Sequence, residues 1–244
     1  MYRFAVLVFA LVLLSVWTEA ALAQATDPAL LMRRWATSQA EAGEGIERIT
    51  FEERTERVLD GPFGKRTVRL HARITGSPDG GDWRRDILIV SINGRPLAPR
   101  EYDHLRFRHF EDGSPTERLL EDLLIPSKLF AGMQPAGPAT RVQFGTGPAL
   151  RFDMVPSNAR SPIRRVTIWM DIERAHLLKT RTVFEQPVRG STMHVTTTYD
   201  HVGGFDVPIQ RSIEGTIRTR RRLRTFTLLL RVESEFTDHH IDRS

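Results

Sequence analysis

Apolar and polar residues alternate with a period of two over most of the second half of the chain. Val166, Ile168 and Met170 alternate with Arg165, Thr167 and Trp169, and Met193, Val195, Thr197 and Tyr199 follow the same rhythm. Further on, Phe205, Val207, Ile209, Ile213 and Ile217 read as one face of a strand. Asp206, Gln210, Ser212, Glu214 and Arg218 read as the other. A last strand places Phe226, Leu228, Leu230, Val232 and Phe236 on one side. Period-two patterning joined by short polar or Gly/Pro turns predicts an antiparallel meander, apolar on one face and wet on the other.

The first half carries the same signal with helical interruptions. Asp27-Pro28 predicts a helix start, with Leu31 and Trp35 on one face and Gly43 and Gly45 ending it. Residues 46–75 predict a long hairpin turning at Asp60-Gly61-Pro62, with Val68, Leu70, Ala72 and Ile74 on its apolar side. The strand from Trp83 to Ile92 is expected to present Leu88, Val90 and Ile92 together, before a tight Asn93-Gly94 turn. Pro99 to Phe110 predicts a short charged helix. Ser114-Pro115-Thr116-Glu117 is a capping box for a Leu119/Leu120/Leu123/Leu124 stripe expected to end before Pro126, with a Pro/Gly linker over Gly132–Gly137. Strands resume at 141–144 and 149–155, where Leu150, Phe152 and Met154 share a face. The helical insert is too short for a core of its own and is expected to lie over the apolar face of the sheet.

Outside this domain, residues 1–23 read as a secretory signal peptide: Arg3, an apolar run from Phe4 to Trp17, and Ala20-Ala21-Leu22-Ala23 as a cleavage site before Gln24. Residues 24–244 then form one domain. The chain has no cysteine, which excludes disulfides and a lipidated cysteine after the signal. Export to a periplasm is the expectation. The formal charge of +5 includes one positive and one negative residue of the signal, Arg3 and Glu19, so export leaves it unchanged. Nucleic acid does not suit an exported protein. An anionic membrane surface, a lipid headgroup or an acidic protein fits a basic patch better, and a solvated arginine-rich sheet face is the plainer explanation.

Candidate chemistry is sparse. The chain has no nucleophile elbow, metalloprotease helix, P-loop or dinucleotide fingerprint, so no catalytic residue and no cofactor is expected. Adjacent His239 and His240 point to opposite faces of a strand and are not read as a metal site. His176, His194 and His201, near Asp171, Asp200 and Asp206, have no spacing that singles out a nucleophile and base. The arginine cluster Arg218, Arg220, Arg221, Arg222 and Arg224 is expected at a hairpin turn, either as a headgroup or partner contact or as a charged turn that keeps the sheet end soluble. The candidate ligand surface is apolar: Phe51, Trp83, Phe144, Phe152, Met154, Phe184 and Phe226, spread over nearly every strand. So many long strands with so little helix must close, pair, or curve around a cavity.

The order of the strands has a recognisable rhythm. Ile168-Trp169-Met170-Asp171 is followed by a strand ending at Phe184, a strand with Tyr199, and Gly203-Gly204-Phe205-Asp206-Val207-Pro208. This series, with the signal peptide, amphipathic helix and early hairpin, resembles the LolA-like superfamily of outer-membrane lipoprotein-sorting proteins. The resemblance implies a curved, half-open antiparallel sheet, an unclosed barrel, with a few helices over its concave face. It implies a non-enzymatic carrier of lipid or lipoprotein acyl chains held between sheet and helices, with peripheral membrane contact. The alternative it implies is an envelope-stress sensing or interaction module that binds a membrane-anchored protein. Only structural positions carry over: Trp169, Asp171, Gly203, Gly204 and Pro208. The greater length and the charged 99–110 segment depart from the dedicated carrier.

Overall fold

The computed structural model describes residues 27–62, 64–77, 84–101, 126–159, 161–185, 192–221 and 224–244. Side chains at 128, 185, 192 and 217–226 are not described. The signal segment, Trp83, Arg222, and the sequence-predicted helices after residue 101 and before Pro126 therefore lie outside it.

Eleven strands form one antiparallel sheet: β1 (Ile46–Gly61), β2 (Gly64–Gly76), β3 (Arg84–Ile92), β4 (Arg95–Pro96), β5 (Met133–Phe144), β6 (Gly147–Pro156), β7 (Ile163–Asp171), β8 (Leu177–Glu185), β9 (Thr192–Val202), β10 (Phe205–Arg221) and β11 (Arg224–Arg243). The spatial order is β4-β3-β2-β1-β11-β10-β9-β8-β7-β6-β5. Every neighbour pair but one is consecutive in sequence. The exception, β1 against β11, joins the two ends of the chain at the middle of the sheet. β4 and β5 remain as edges, so the curved sheet does not close. Pro135, Gly137 and Pro138 sit on edge strand β5, where the pairing with β6 skips from Ala136 to Thr140. Prolines and a bulge keep such an edge from templating another chain.

Helix α1 (Pro28–Gly43) begins where the sequence predicts. Asp27 accepts from Ala29 N at 2.9 Å, and Gly45 takes a φ of +73° just past the end. Leu31, Trp35 and Gln39, spaced by four, are its buried stripe. The helix touches both β10 and β5. Sixteen residues span about 24 Å, and five strand spacings cover about the same distance, so α1 lies across this half of the sheet. Short helix α2 (Pro126–Phe130) contributes Leu129 and Phe130.

Strand pairing places Phe51, Ile74, Phe236, Val232, Ile213, Val195, Thr180, Ile168 and Phe152 on one continuous face of the sheet. The main core joins this face on β6–β11 to α1 and α2, through Leu31, Trp35, Phe130, Phe152, Ile168, Met170 and Val195. Two smaller clusters continue it, Ile46/Ile49/Phe51/Ile74/Phe236 and Leu70/Ala72/Val90. The opposite face carries cross-strand ion pairs such as Arg69–Glu56 at 2.7 Å and Arg73–Glu52 at 3.5 Å. Much of the arginine-rich alternation is thereby the solvated ladder of a sheet wet on one side.

Three expectations need correction, and bulges explain two of them. On β3 the partners step from Ala72↔Ile87 to His71↔Ile89, leaving Leu88 as the extra residue. Ile87 therefore shares the inner side with Val90, and Leu88 is exposed. On β10 the pairing steps from Pro208 to Gln210, with Ile209 extra. The inner side reads Asp206, Pro208, Arg211, Ile213, and both charged residues are buried. The predicted Gly132–Gly137 linker is largely strand β5, and Pro126 opens a short helix.

The two-residue turns match their sequence signals. Asn93-Gly94 (φ +50° and +83°) and Gly203-Gly204 (φ +60° and +90°) take left-handed backbone at both positions, the geometry that closes a right-twisted hairpin. A Cβ on Gly204 would come within 3.2 Å of Ala42 Cβ, so this turn also sets how closely α1 approaches. Asp171 acts locally: its Oδ1 accepts from Glu173 N and Arg174 N and shapes the β7–β8 turn.

Candidate functional site: a cleft beneath helix α1

A cleft of about 490 Å³ lies between α1 and the sheet, lined by Trp35, Ala36, Gln39, Ala40, Gly43, Glu44, Ile46, Ser77, Ser127 and Phe205. It occupies the seam between core clusters. Trp35 belongs to the main one, whereas Ile46 and Phe205 belong to or pack on the second. Its size is within the range of small-ligand pockets, roughly 300–1,000 Å³. A helix meeting a sheet with alanines at 36 and 40 and a glycine at 43 leaves room there, because these residues are too small to fill the gap.

The polar chemistry of the cleft converges on Asp206. Its Oδ2 accepts from Trp35 Nε1 at 2.8 Å and from the Leu177 backbone N–H at 2.8 Å, and its Oδ1 accepts from His201 Nδ1 at 2.9 Å. Its own N–H donates to Gln39 Oε1 at 3.1 Å. One buried carboxylate thus ties α1 to β8, β9 and β10. Arg34 adds a tether outside, donating to Glu173 O at 3.0 Å. The Gln39 amide cannot be flipped without facing Asp206 N–H with a second donor. Its buried Nε2 has no partner among the described residues, which leaves one donor in the cleft wall.

His176 stacks on His201 with ring centroids 3.6 Å apart and planes 12° apart. Burial draws the His176 pKa below its ordinary value, and His201 adds to this, while Asp206 and Asp171 oppose it. A donor atom from each of His176, His201 and Asp206 lies within 4.8 Å of the others. In near-parallel stacked rings the in-plane lone pairs run side by side and do not converge on one point, and the Asp206 oxygens are already committed. The arrangement is a hydrogen-bonded hub.

A second polar group lies further across the same face. Glu53 is buried, with Oε1 accepting from Thr55 Oγ1 at 2.8 Å and Arg211 Nη2 at 3.1 Å, and Oε2 3.0 Å from Arg85 Nε. Burial raises the Glu53 pKa, and Arg85 and Arg211 outweigh it, so the carboxyl lies below its usual range. Burial likewise pushes the Tyr199 hydroxyl up to about 12, keeping it neutral between β8 and β10. These groups brace the interior between clusters. A larger hollow of about 840 Å³ lies on the opposite face, where Arg54, Glu56, Arg69, His71, Glu233 and Glu235 line it. Arg69 pairs with Glu56 and Arg54 stands in register with Glu235, whereas Glu56 and Glu233 face each other as like charges.

Of the sequence-predicted apolar residues that are described, Phe51, Phe152, Met154 and Phe184 stand in the core behind the cleft and not in its lining. Phe152, Met154 and Phe184 share the main core with Trp35. Phe51 packs edge-on against Phe236 at 5.6 Å, next to Ile46 and Phe205. Phe144 is half-buried at the β5–β6 turn and joins no cluster. Trp83 and the Phe226 side chain are outside the described residues. Of the arginine cluster, Arg218, Arg220 and Arg221 end β10 and Arg224 starts β11, paired as Arg221↔Arg224. Pairing of β10 with β9 ends at Gly215 and of β11 with β1 at Leu229. Among the described residues, the last six residues of β10 pair with β11 alone. Trp35, Gln39, Phe205 and Asp206 were not singled out as a site. The Leu31/Trp35 stripe pointed to the first two, and only the β10 bulge brings the last inside.

No family model matches the chain, and no curated protein does. Solved structures do. A domain assigned to outer membrane lipoprotein sorting from Vibrio parahaemolyticus is 11% identical, with 85% of this chain and 91% of that one covered, at a TM-score of 0.39. A LolA superfamily protein from Nitrosomonas europaea is 11% identical, covering 86% and 94%, at 0.38. The MucA/MucB complex of Pseudomonas aeruginosa is matched at 11% identity, covering 86% and 98%, at 0.21.

Proposed function

We propose that this chain is an exported, non-enzymatic protein that holds an acyl chain of a lipid or lipoprotein in the cleft beneath α1. The observation that carries this reading is the cleft itself: mostly apolar walls from Trp35, Ala36, Ala40, Ile46 and Phe205, with Gln39, Glu44, Ser77 and Ser127 as the polar residues of its lining. Burying alkyl groups contributes roughly 0.8 kcal/mol per methylene, so a single chain binds usefully with few polar contacts. The signal-like segment 1–23 and the sequence rhythm around Trp169 and Gly203-Gly204 support a periplasmic address. Phe51, Phe152, Met154 and Phe184 serve as the rigid backing of the cleft.

The arginine-rich end of the β10–β11 hairpin favours a second reading, in which Arg218, Arg220, Arg221, Arg222 and Arg224 contact anionic headgroups or an acidic, membrane-anchored protein partner. Mass spectrometry of a solvent extract of the protein purified from its native envelope separates the two. The carrier reading expects stoichiometric acyl lipid. An extract free of lipid overturns it in favour of the second.

A further inference from the structure

Among the described residues Asp206 is the carboxylate that holds α1 on the sheet, and it is also the carboxylate next to a stacked pair of imidazoles. We propose that the His176–His201 stack is an acid-operated latch on helix α1 that loosens the cleft when His176 takes up a proton. This rests on the cleft being the ligand site, and adds how that site is controlled.

Near neutral pH, stacking at 3.6 Å is favourable for an uncharged ring against a partner whose Nδ1–H points to Asp206. A proton on His176 puts a cation 3.6 Å from the His201 ring and beside Asp206, the only carboxylate among the described residues that is hydrogen-bonded to either ring. The other charges facing His176 are Asp171 and Arg174 from its own turn. Asp200 accepts from the His201 backbone N–H, and α1 presents neutral Gln39 and the Trp35 N–H. His176 directly precedes Leu177, whose N–H is held by Asp206 Oδ2, the oxygen that also holds Trp35 Nε1. Movement of the protonated His176 ring therefore pulls on Leu177 and draws the carboxylate toward the imidazolium. Trp35 loses its acceptor, and α1 loosens at the wall of the cleft.

The sign follows from His176. Its folded pKa is lowered, so the folded state carries fewer protons than the unfolded one between that lowered value and the ordinary 6.5. The stabilising contribution is complete above 6.5 and is lost as pH falls through this window.

Hydrogen exchange of the α1 amides, corrected for intrinsic rate and read by mass spectrometry at about pH 7.5 and about pH 5, tests the latch alongside binding of a fluorescent fatty acid. The expected result is a roughly tenfold or greater loss of α1 protection at the lower pH, with weaker probe binding. The His176→Gln variant should flatten both profiles. Protection that ignores pH, or a His176→Gln profile identical to the parent, overturns the latch even if the probe binds. A pH-dependent loss of protection with no probe binding at either pH supports the latch and sinks the ligand reading instead.

Discussion

Asp206→Ala is expected to be among the most damaging single changes in the chain. It strips the acceptor from the Trp35 indole and from the Leu177 amide, both buried, and the partner from His201. A buried donor left unpaired costs about 1–3 kcal/mol, so the variant should lose about 3–5 kcal/mol. For a domain of this size that lowers Tm by roughly 10–15 °C. Asp206→Asn keeps the shape and one carbonyl acceptor and should recover part of the loss. Thermal unfolding followed by circular dichroism measures both. If Asp206→Ala unfolds within a degree or two of the parent, the carboxylate is not the fastening point of α1.

A second large effect is expected at Glu53. Removing it leaves Arg211 buried without its carboxylate while Arg85 remains nearby, and breaking one side of a buried ion pair typically costs about 3–5 kcal/mol. Glu53→Leu should therefore be strongly destabilising. The double variant Glu53→Leu/Arg211→Met should regain part of the loss, because the fully buried Arg211 charge goes with the carboxylate while the partly exposed Arg85 keeps the cost of its lost partner. The check is denaturant unfolding of the two single variants and the double. Additive losses in the double variant would show that the pair is not coupled. The pair also sets a pH limit: the Glu53 pKa is lowered in the fold, so its contribution is complete above the unfolded carboxylate value and disappears as pH falls through the folded one.

Where alternation runs unbroken, sequence and structure agree. Val166, Ile168 and Met170, or Met193, Val195 and Tyr199, face the core as their spacing predicts, because each step along a strand reverses the side chain. The helix start at Asp27, the Asn93-Gly94 turn and the arginine-tipped hairpin were legible for equally local reasons. Bulges hid the rest. One inserted residue shifts the phase of everything on one side of it, so Leu88 moved outward and Asp206 moved inward. Arg211 was within reach, since it stands two residues before buried Ile213, and its charge drew attention away from its phase. The cleft was not legible. Apolar residues mark a face, yet a void depends on where small residues such as Ala36, Ala40 and Gly43 leave a gap against the opposing sheet.

The central claim is that this gap takes an acyl chain, and Ala40 offers the most direct test, being exposed at the mouth of the cleft and outside the core. Titration of cis-parinaric acid into the parent protein and into Ala40→Trp, whose ring would fill the opening, should show saturable binding by the parent and at least about tenfold weaker binding by the variant, with Tm little changed. Equal affinity in the two proteins, or no binding by the parent, would contradict the claim.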